Sequence, residues 1–312
     1  MKLIAPEGYE DFTCIADACR HTCCKGWEID IDDASARRYE TLPGEAGDIL
    51  RQWMEEDEDG YHFRLMGEEE RCPLLMDNGL CRLICQQGEA ALCQVCRDHP
   101  RFRHFMTDRT EIGLGLCCEE AAREQLSRTP PFRLIVLEDD GEQQVEDEAE
   151  QAFYRWRETL LDIATDRSVP VVQRAATIAS VTGVKPIGHI SAWAQRLLSL
   201  EILTEEWRSL LERLKAWQPI QRTEAGLEVP SEQLLCALMY RHLSDALEDG
   251  AAAGHAAVSL FLWQLCMTLA DMAGAHTVEE LADLARIMSS ELEYSQENLD
   301  ALLTWAEEEM VR

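Results

Sequence analysis

The sequence predicts a mainly α protein: a cysteine-rich metal-binding N-terminal domain with short strands over residues 1–130, and an α-helical C-terminal bundle over residues 150–312. Three observations carry that expectation. Eleven of the 13 cysteines fall within the first 118 residues. Beyond residue 150 apolar residues recur at three- and four-residue steps, the period of an α-helix with one buried face. Between the two, Pro130-Pro131 and the acidic run from Glu138 to Glu150 read as a solvated boundary.

The cysteines come in three groups: Cys14, Cys19, Cys23 and Cys24; then Cys72, Cys81, Cys85, Cys93 and Cys96; then Cys117 and Cys118. Groups so far apart along the chain imply a fold that gathers distant loops around one centre. Cys93-x2-Cys96 has the short spacing that lets two thiolates grip one metal. Soft thiolates select zinc or an iron–sulfur cluster over hard cations. A radical S-adenosylmethionine loop, C-x3-C-x2-C, is excluded, because its third position falls on Gly26 after Cys23 and on Gly88 after Cys85. A zinc ribbon is excluded too, since only Cys93 and Cys96 form a C-x2-C knuckle. Cys236 and Cys266 lie in apolar helical patterns and read as small packing residues.

Short strand patterns appear at Glu28-Ile29-Asp30-Ile31 and at Tyr61-His62-Phe63-Arg64-Leu65, the second bracketed by Gly60 and Gly67. The stretch between them, from Asp32 to Glu58, reads as helical. In the C-terminal part, Phe153, Trp156, Leu160, Leu161 and Ala164 mark one helical face. Ser231 after Pro230 predicts an N-cap for a helix through Leu234, Leu238 and Leu247, stopped by Gly250. Thr277-Val278-Glu279-Glu280 predicts a capping box. About seven helices with short loops are expected, with no internal repeat. The most apolar run, Ala256 to Ala275, carries Gln264 and Asp271, which argues for a buried helix rather than a membrane span.

Charge limits the partners. With 59 acidic and 29 basic residues the net charge is −30, a field that repels nucleic acid and anionic lipid and either favours a cationic partner such as lysine-bearing protein or simply confers solubility. The opening Met1-Lys2-Leu3-Ile4-Ala5-Pro6-Glu7 has too short an apolar run for a signal peptide. The expected location is the cytoplasm, where cysteines stay reduced and serve metals rather than disulfides.

Other motifs are sparse. Glu111-Ile112-Gly113-Leu114-Gly115-Leu116 invites comparison with the glycine-rich loop of nucleotide-binding βαβ folds. Cys117 stands where the third glycine belongs, so a glycine-containing strand is expected instead. No P-loop, nucleophile elbow or HExxH occurs, and carboxylates are too many to single out a catalytic pair. His99 in Cys96-Arg97-Asp98-His99-Pro100-Arg101 is a candidate metal ligand, or a neighbour that orients one. His62, His104 and His189 stand alone. Tyr240-Arg241-His242, on an apolar helix, is a candidate site feature where polar tips could converge.

Phe12-Thr13-Cys14-Ile15, then Cys19 and Cys23-Cys24-Lys25-Gly26-Trp27, form a first block. Cys72-Pro73-Leu74-Leu75, Gly79-Leu80-Cys81, Gly88-Glu89 and Cys96-x3-Pro100-Arg101 form a second, and Cys118-Glu119-Glu120-Ala121-Ala122-Arg123 a third. In this order they resemble the flagellin lysine-N-methylase family, whose N-terminal half is similar to a broader group of iron- or zinc-chelating cysteine domains. The resemblance covers residues 8–125 at motif level and extends loosely to Tyr240-Arg241-His242. It implies methyl transfer from S-adenosylmethionine to lysines of flagellin, and an iron–sulfur cluster, of the 4Fe-4S kind, or zinc as its alternative. It picks out Cys14, Cys19, Cys23, Cys24, Cys72, Cys81, Cys96 and Cys118 as ligands, leaving Cys85, Cys93 and Cys117 as extras of this chain. Eight thiolates exceed the four of one site, so either two sites exist or some cysteines only pack. Two positions depart from the family: His99 replaces an aromatic before Pro-Arg, and Glu119 replaces a proline after the last cysteine. The rival expectation is a non-enzymatic, metal-stapled accessory or redox-sensing module. A metalloenzyme with a zinc-bound water fits least, because the donors are nearly all thiolates.

Overall fold

Residues Lys2–Pro6 form a strand whose partners lie far along the chain. In the computed structural model, which describes residues 1–27, 29–58, 60–141, 147–218 and 226–312, this strand pairs in parallel with Arg109–Leu114 and antiparallel with Leu134–Asp139. Arg101–Phe105 completes a four-stranded sheet beside Arg109–Leu114. The pairing decides how the chain divides. One unit is Thr13–Arg101; the other joins Met1–Phe12 to Phe102–Arg312. The sequence suggested a first domain running through residue 130. Strand pairing draws both flanks of that stretch, with Cys117 and Cys118, into the helical unit.

The architecture is mainly α, as the sequence predicts. Among the described residues beyond 147, seven helices reach ten residues or more: Glu148–Thr165, Val171–Thr182, Glu205–Ala216, Glu228–His242, Ala252–Ala273, Val278–Leu292 and Gln296–Trp305. Phe153, Leu160 and Ala164 form the buried face of the first. Thr277 opens Val278–Leu292 with the predicted capping box, its hydroxyl accepting from the Glu280 amide and Glu280 reaching back. Ser231 differs from its expected role. The helix begins three residues earlier at Glu228, so Ser231 lies inside it, fully buried, with its hydroxyl accepting from Trp263 Nε1 at 3.0 Å. Gly250, in the left-handed region at φ 75°, ends a separate short helix, Ala246–Asp249. The Ala252–Ala273 helix is long and apolar enough to cross a membrane by composition, yet it is mostly buried against the other helices, as expected for the Ala256–Ala275 run. Cys236 and Cys266 are fully buried, as packing residues are.

Charge also penetrates this core. Glu111 on the Arg109–Leu114 strand is clamped by Arg157, with Oε1 and Oε2 each 2.6 Å from a guanidinium nitrogen. Glu232 is shared by Arg174 and Arg167. Each of these buried side chains meets an opposite charge, which offsets the cost of taking it out of water.

Gly113 shows why the glycine-rich stretch exists. A Cβ at this position would sit 2.3 Å from Cζ of Phe102 on the neighbouring strand. A side chain here would collide with the ring, so packing by itself accounts for the glycine. Gly113→Ala is expected to lower stability by about 1–3 kcal/mol through overpacking. A urea denaturation midpoint equal to that of the parent protein would refute this explanation.

In the Thr13–Arg101 unit, Asp30–Ile31, Tyr61–Phe63 and Met54–Glu56 form a small antiparallel sheet. The helices Asp33–Thr41 and Gly44–Trp53 occupy the stretch predicted as helical. Both predicted strands are present but shorter, and Glu28 lies outside the described residues, as does 142–146 within the acidic run. Met54–Glu56 was not expected. Its three residues, two of them exposed, carry no alternating pattern to detect.

Candidate metal centre

The Thr13–Arg101 unit has a core in which cysteine takes the place of larger apolar residues. Ile29, Ile31, Tyr39, Leu50, Phe63, Leu74 and Leu83 pack with Cys72 and Cys93, and Cys24, Cys81 and Cys96 lie against them. Three local devices deliver these thiols. The Cys24 loop is zipped to the Cys72 loop: the Cys72 amide donates to the Cys24 carbonyl at 2.9 Å, and Lys25 bridges to Arg71. A tight turn through Gly79, at φ 81°, folds Cys81 back beside Leu75. Cys81 and Cys93 then stand at the N-caps of the short helices Arg82–Gln87 and Gln94–Asp98. Neither Cys81 nor Cys93 makes a side-chain cap hydrogen bond, but the first-turn amides of those helices, and the Leu74 amide near Cys72, lie close enough to favour thiolate over thiol.

The electrostatics mark these sulfurs as mutual neighbours. Burial pushes the Cys72 thiol up to about 12, and nearby Cys24, Cys81 and Cys93 add to it. Cys81 is raised in the same way. In the Cys93–Cys96 pair, Cys96 holds the proton and donates it, which lowers Cys93 to about 7 and raises Cys96. Cys24 is lowered to about 7 by a hydrogen bond from Cys23. Five thiols gathered in one apolar core repel one another once ionised. A soft cation would offset that repulsion, and thiolate donors suit an iron–sulfur cluster or zinc, although no three of these sulfurs lie within 4.8 Å of one another.

The predicted ligands therefore divide. Cys24, Cys72, Cys81 and Cys96 come together, and Cys23 lies beside Cys24. Cys14 is exposed, and its sulfur accepts a hydrogen bond from the Ala16 amide at 3.4 Å. Cys19 is half-buried. Cys118 belongs to the helical unit, where it caps Glu119–Ser127 and packs near Phe12, Leu114 and Ala121. Cys93, set aside as an extra by the resemblance, sits within the group; its C-x2-C spacing to Cys96 was the signal that could have found it. His99 packs against the Trp27 ring, centroids 6.0 Å apart, and burial lowers it to about 4, so it is neutral near pH 7. Trp27 Nε1 donates to the Cys23 carbonyl at 2.7 Å, so this aromatic corner braces the first cysteine loop.

Tyr240, Arg241 and His242 do not open on a cleft. The Tyr240 hydroxyl donates to the Ile112 carbonyl at 3.2 Å, tying helix to sheet. His242 Nε2 and Arg241 Nε both meet Glu293 Oε1, at 2.8 and 3.1 Å, and the Arg241 guanidinium lies over the Phe102 and Tyr294 rings. Burial alone would raise Glu293, but His242 and Arg241 overrule it and hold the carboxyl at about 2.

No family model and no solved structure matches the chain. Curated proteins do. A lysine-N-methylase of Salmonella typhimurium is 29% identical over 121 residues, which is 37% of this chain and 30% of that protein. A lysine-N-methylase of Salmonella choleraesuis is 28% identical over the same length, with the same coverage. The flagellar biosynthetic protein FliU of Salmonella muenchen is 28% identical over 121 residues, 72% of its own length. The matched stretch thus spans under a third of the two methylases. Over that stretch the chain is a distant relative of the lysine-N-methylases.

Proposed function

We propose that the protein transfers methyl groups from S-adenosylmethionine to lysine side chains of flagellin, and that four of the five cysteines Cys24, Cys72, Cys81, Cys93 and Cys96 supply the ligands of an iron–sulfur cluster of the 4Fe-4S kind. The observation that carries this reading is the gathering of five thiols into one core in a chain similar to two lysine-N-methylases. The cluster, when bound, supplies positive charge that holds the buried thiolates together and so fixes the loops around it. The remaining work falls to the chain. It must desolvate the lysine or give it a base, because only the neutral amine attacks. A chain of charge −30 gathers lysine-bearing segments and leaves nucleic acid aside. The cytoplasm is the compartment that keeps these thiols reduced.

A second reading, a metal-stapled accessory or redox-sensing module without catalysis, draws on Gly113, for which packing by itself accounts. One experiment separates the two. Protein purified without oxygen is analysed for iron, sulfide and zinc, then incubated with flagellin and methyl-labelled S-adenosylmethionine. Iron and sulfide with label on lysine are expected. Full metal loading without label would sink the methylase reading in favour of the module, and stoichiometric zinc would replace the cluster.

A further inference from the structure

A cavity of about 440 Å³ in the helical unit lies between the turn after strand Lys2–Pro6, the C-terminal half of helix Glu119–Ser127, the run up to Arg133, and helix Glu228–His242. Its size suits a long side chain or a small ligand. Almost every polar group in its wall is already committed. Arg133 forks Glu7, with Nε at 2.8 Å. Arg128 reaches Asp11 at 3.2 Å. Arg123 forks Glu120, with Nε at 2.8 Å. The Gln125 amide donates to the carbonyls of Leu114 and Ala121, and the Gln233 amide to that of Pro130 at 2.7 Å.

Glu124 is the exception. Among the described residues it makes no ion pair and its Oε2 accepts no donated hydrogen bond; the side chain that meets it is the like-charged Glu120. Around it stand Glu120 on its own helix, Asp11 from the preceding turn, and Arg123, whose charge is already spent on Glu120. Burial and the Glu120 charge raise its affinity for a proton. A carboxylate that lacks a cation at the edge of a cavity costs stability until a cationic or hydrogen-bond-donating group arrives. Phe132 and Pro131 in the same wall offer apolar surface to a methylene chain.

We propose that this cavity is the acceptor pocket for a lysine side chain, with Glu124 receiving the ε-ammonium and taking its proton. The inference rests on the methyl-transfer reading and assigns its base. The proton passes from nitrogen to the Glu124 carboxylate and leaves a lone pair on the amine. That pair forms the N–C bond to the methyl group of the sulfonium donor as the C–S bond breaks. Sulfur keeps the bonding pair, and the positive charge moves to nitrogen. A base with raised proton affinity suits this step better than an ordinary surface carboxylate.

The test measures binding by calorimetry to the full, metal-loaded chain without methyl donor, so it stands apart from turnover. The probes are Nα-acetyl-lysine amide and the norleucine analogue, which lacks the amine. The lysine probe is expected to bind at least about tenfold more tightly, the value of a charge-assisted hydrogen bond. Glu124→Gln should erase that preference and leave the norleucine probe unchanged, whereas Glu124→Asp should retain part of it. Equal affinity for the two probes, no binding of the lysine probe, or a preference that survives in Glu124→Gln would each overturn the assignment. Lysine binding that depends on Glu124, without any methyl transfer to flagellin, would instead count against the methylase reading alone.

Discussion

Replacing Cys72 or Cys96 with serine is expected to bring bound metal down to background and to unfold the Thr13–Arg101 unit. The reason lies in what else holds that unit together. Its sheet has strands of two and three residues, and two of the helices that carry cysteines have six and five. Such elements are too short to be stable alone. Structural metal sites contribute on the order of 10 kcal/mol to folding, so the loss of one buried ligand is not absorbed locally. Controls lie in the same sequence. Cys14→Ser changes an exposed residue and should leave metal content unaltered. Cys236→Ser costs packing in the helical unit but should also spare the metal. Metal analysis beside a thermal melt reads all four variants. Full metal content in Cys72→Ser and Cys96→Ser would remove these residues from the centre.

The second large effect belongs to the helical unit. Glu111→Ala is expected to destabilise it by about 3–5 kcal/mol, because Arg157 would be left charged in the core. Neither partner has an outlet: their side chains are 0% and 3% exposed. Arg157 also donates to the Ser244 hydroxyl at 2.9 Å and lies over the Phe153 ring. Replacing both, Glu111→Leu with Arg157→Met, should recover much of the loss, since the desolvation cost leaves with the pair. Urea denaturation of the single and double variants checks this. A single substitution costing under about 1 kcal/mol, the value of an exposed pair, would show that water reaches the site.

The sequence was legible where one physical signal dominated. Thr277 and Glu280 bond within a single turn, so the capping box could be read directly. Phe153, Leu160 and Ala164 keep one face buried, so their period is visible. In Glu228–His242 nearly every position is buried, and with both faces covered the periodic signal that should have placed the helix start fades. Ser231 looked like a cap because a serine after proline often is one; tertiary packing against Trp263 decided otherwise. At the candidate centre, cysteine clustering was plain, but membership was not. Cys93 and Cys118 each stand at a helix N-cap, and although the C-x2-C spacing marks Cys93, only the fold puts it in the thiol-rich core and Cys118 in the helical unit. Glu124 was one carboxylate among 59 acidic residues. It is singled out by a missing partner, a property that no local pattern encodes.

The position of strand Lys2–Pro6 bears on the order of assembly. It is made before its partners, Arg109–Leu114 and Leu134–Asp139, which follow only after all of Thr13–Arg101. A nascent chain must therefore hold an unpaired edge in waiting while the cysteine unit is synthesised. Closing so long a loop is entropically slow while the intervening chain is a coil. Loading the thiols early would compact that chain before the strand is called upon. Metal supply would then set how long the helical unit waits for its sheet.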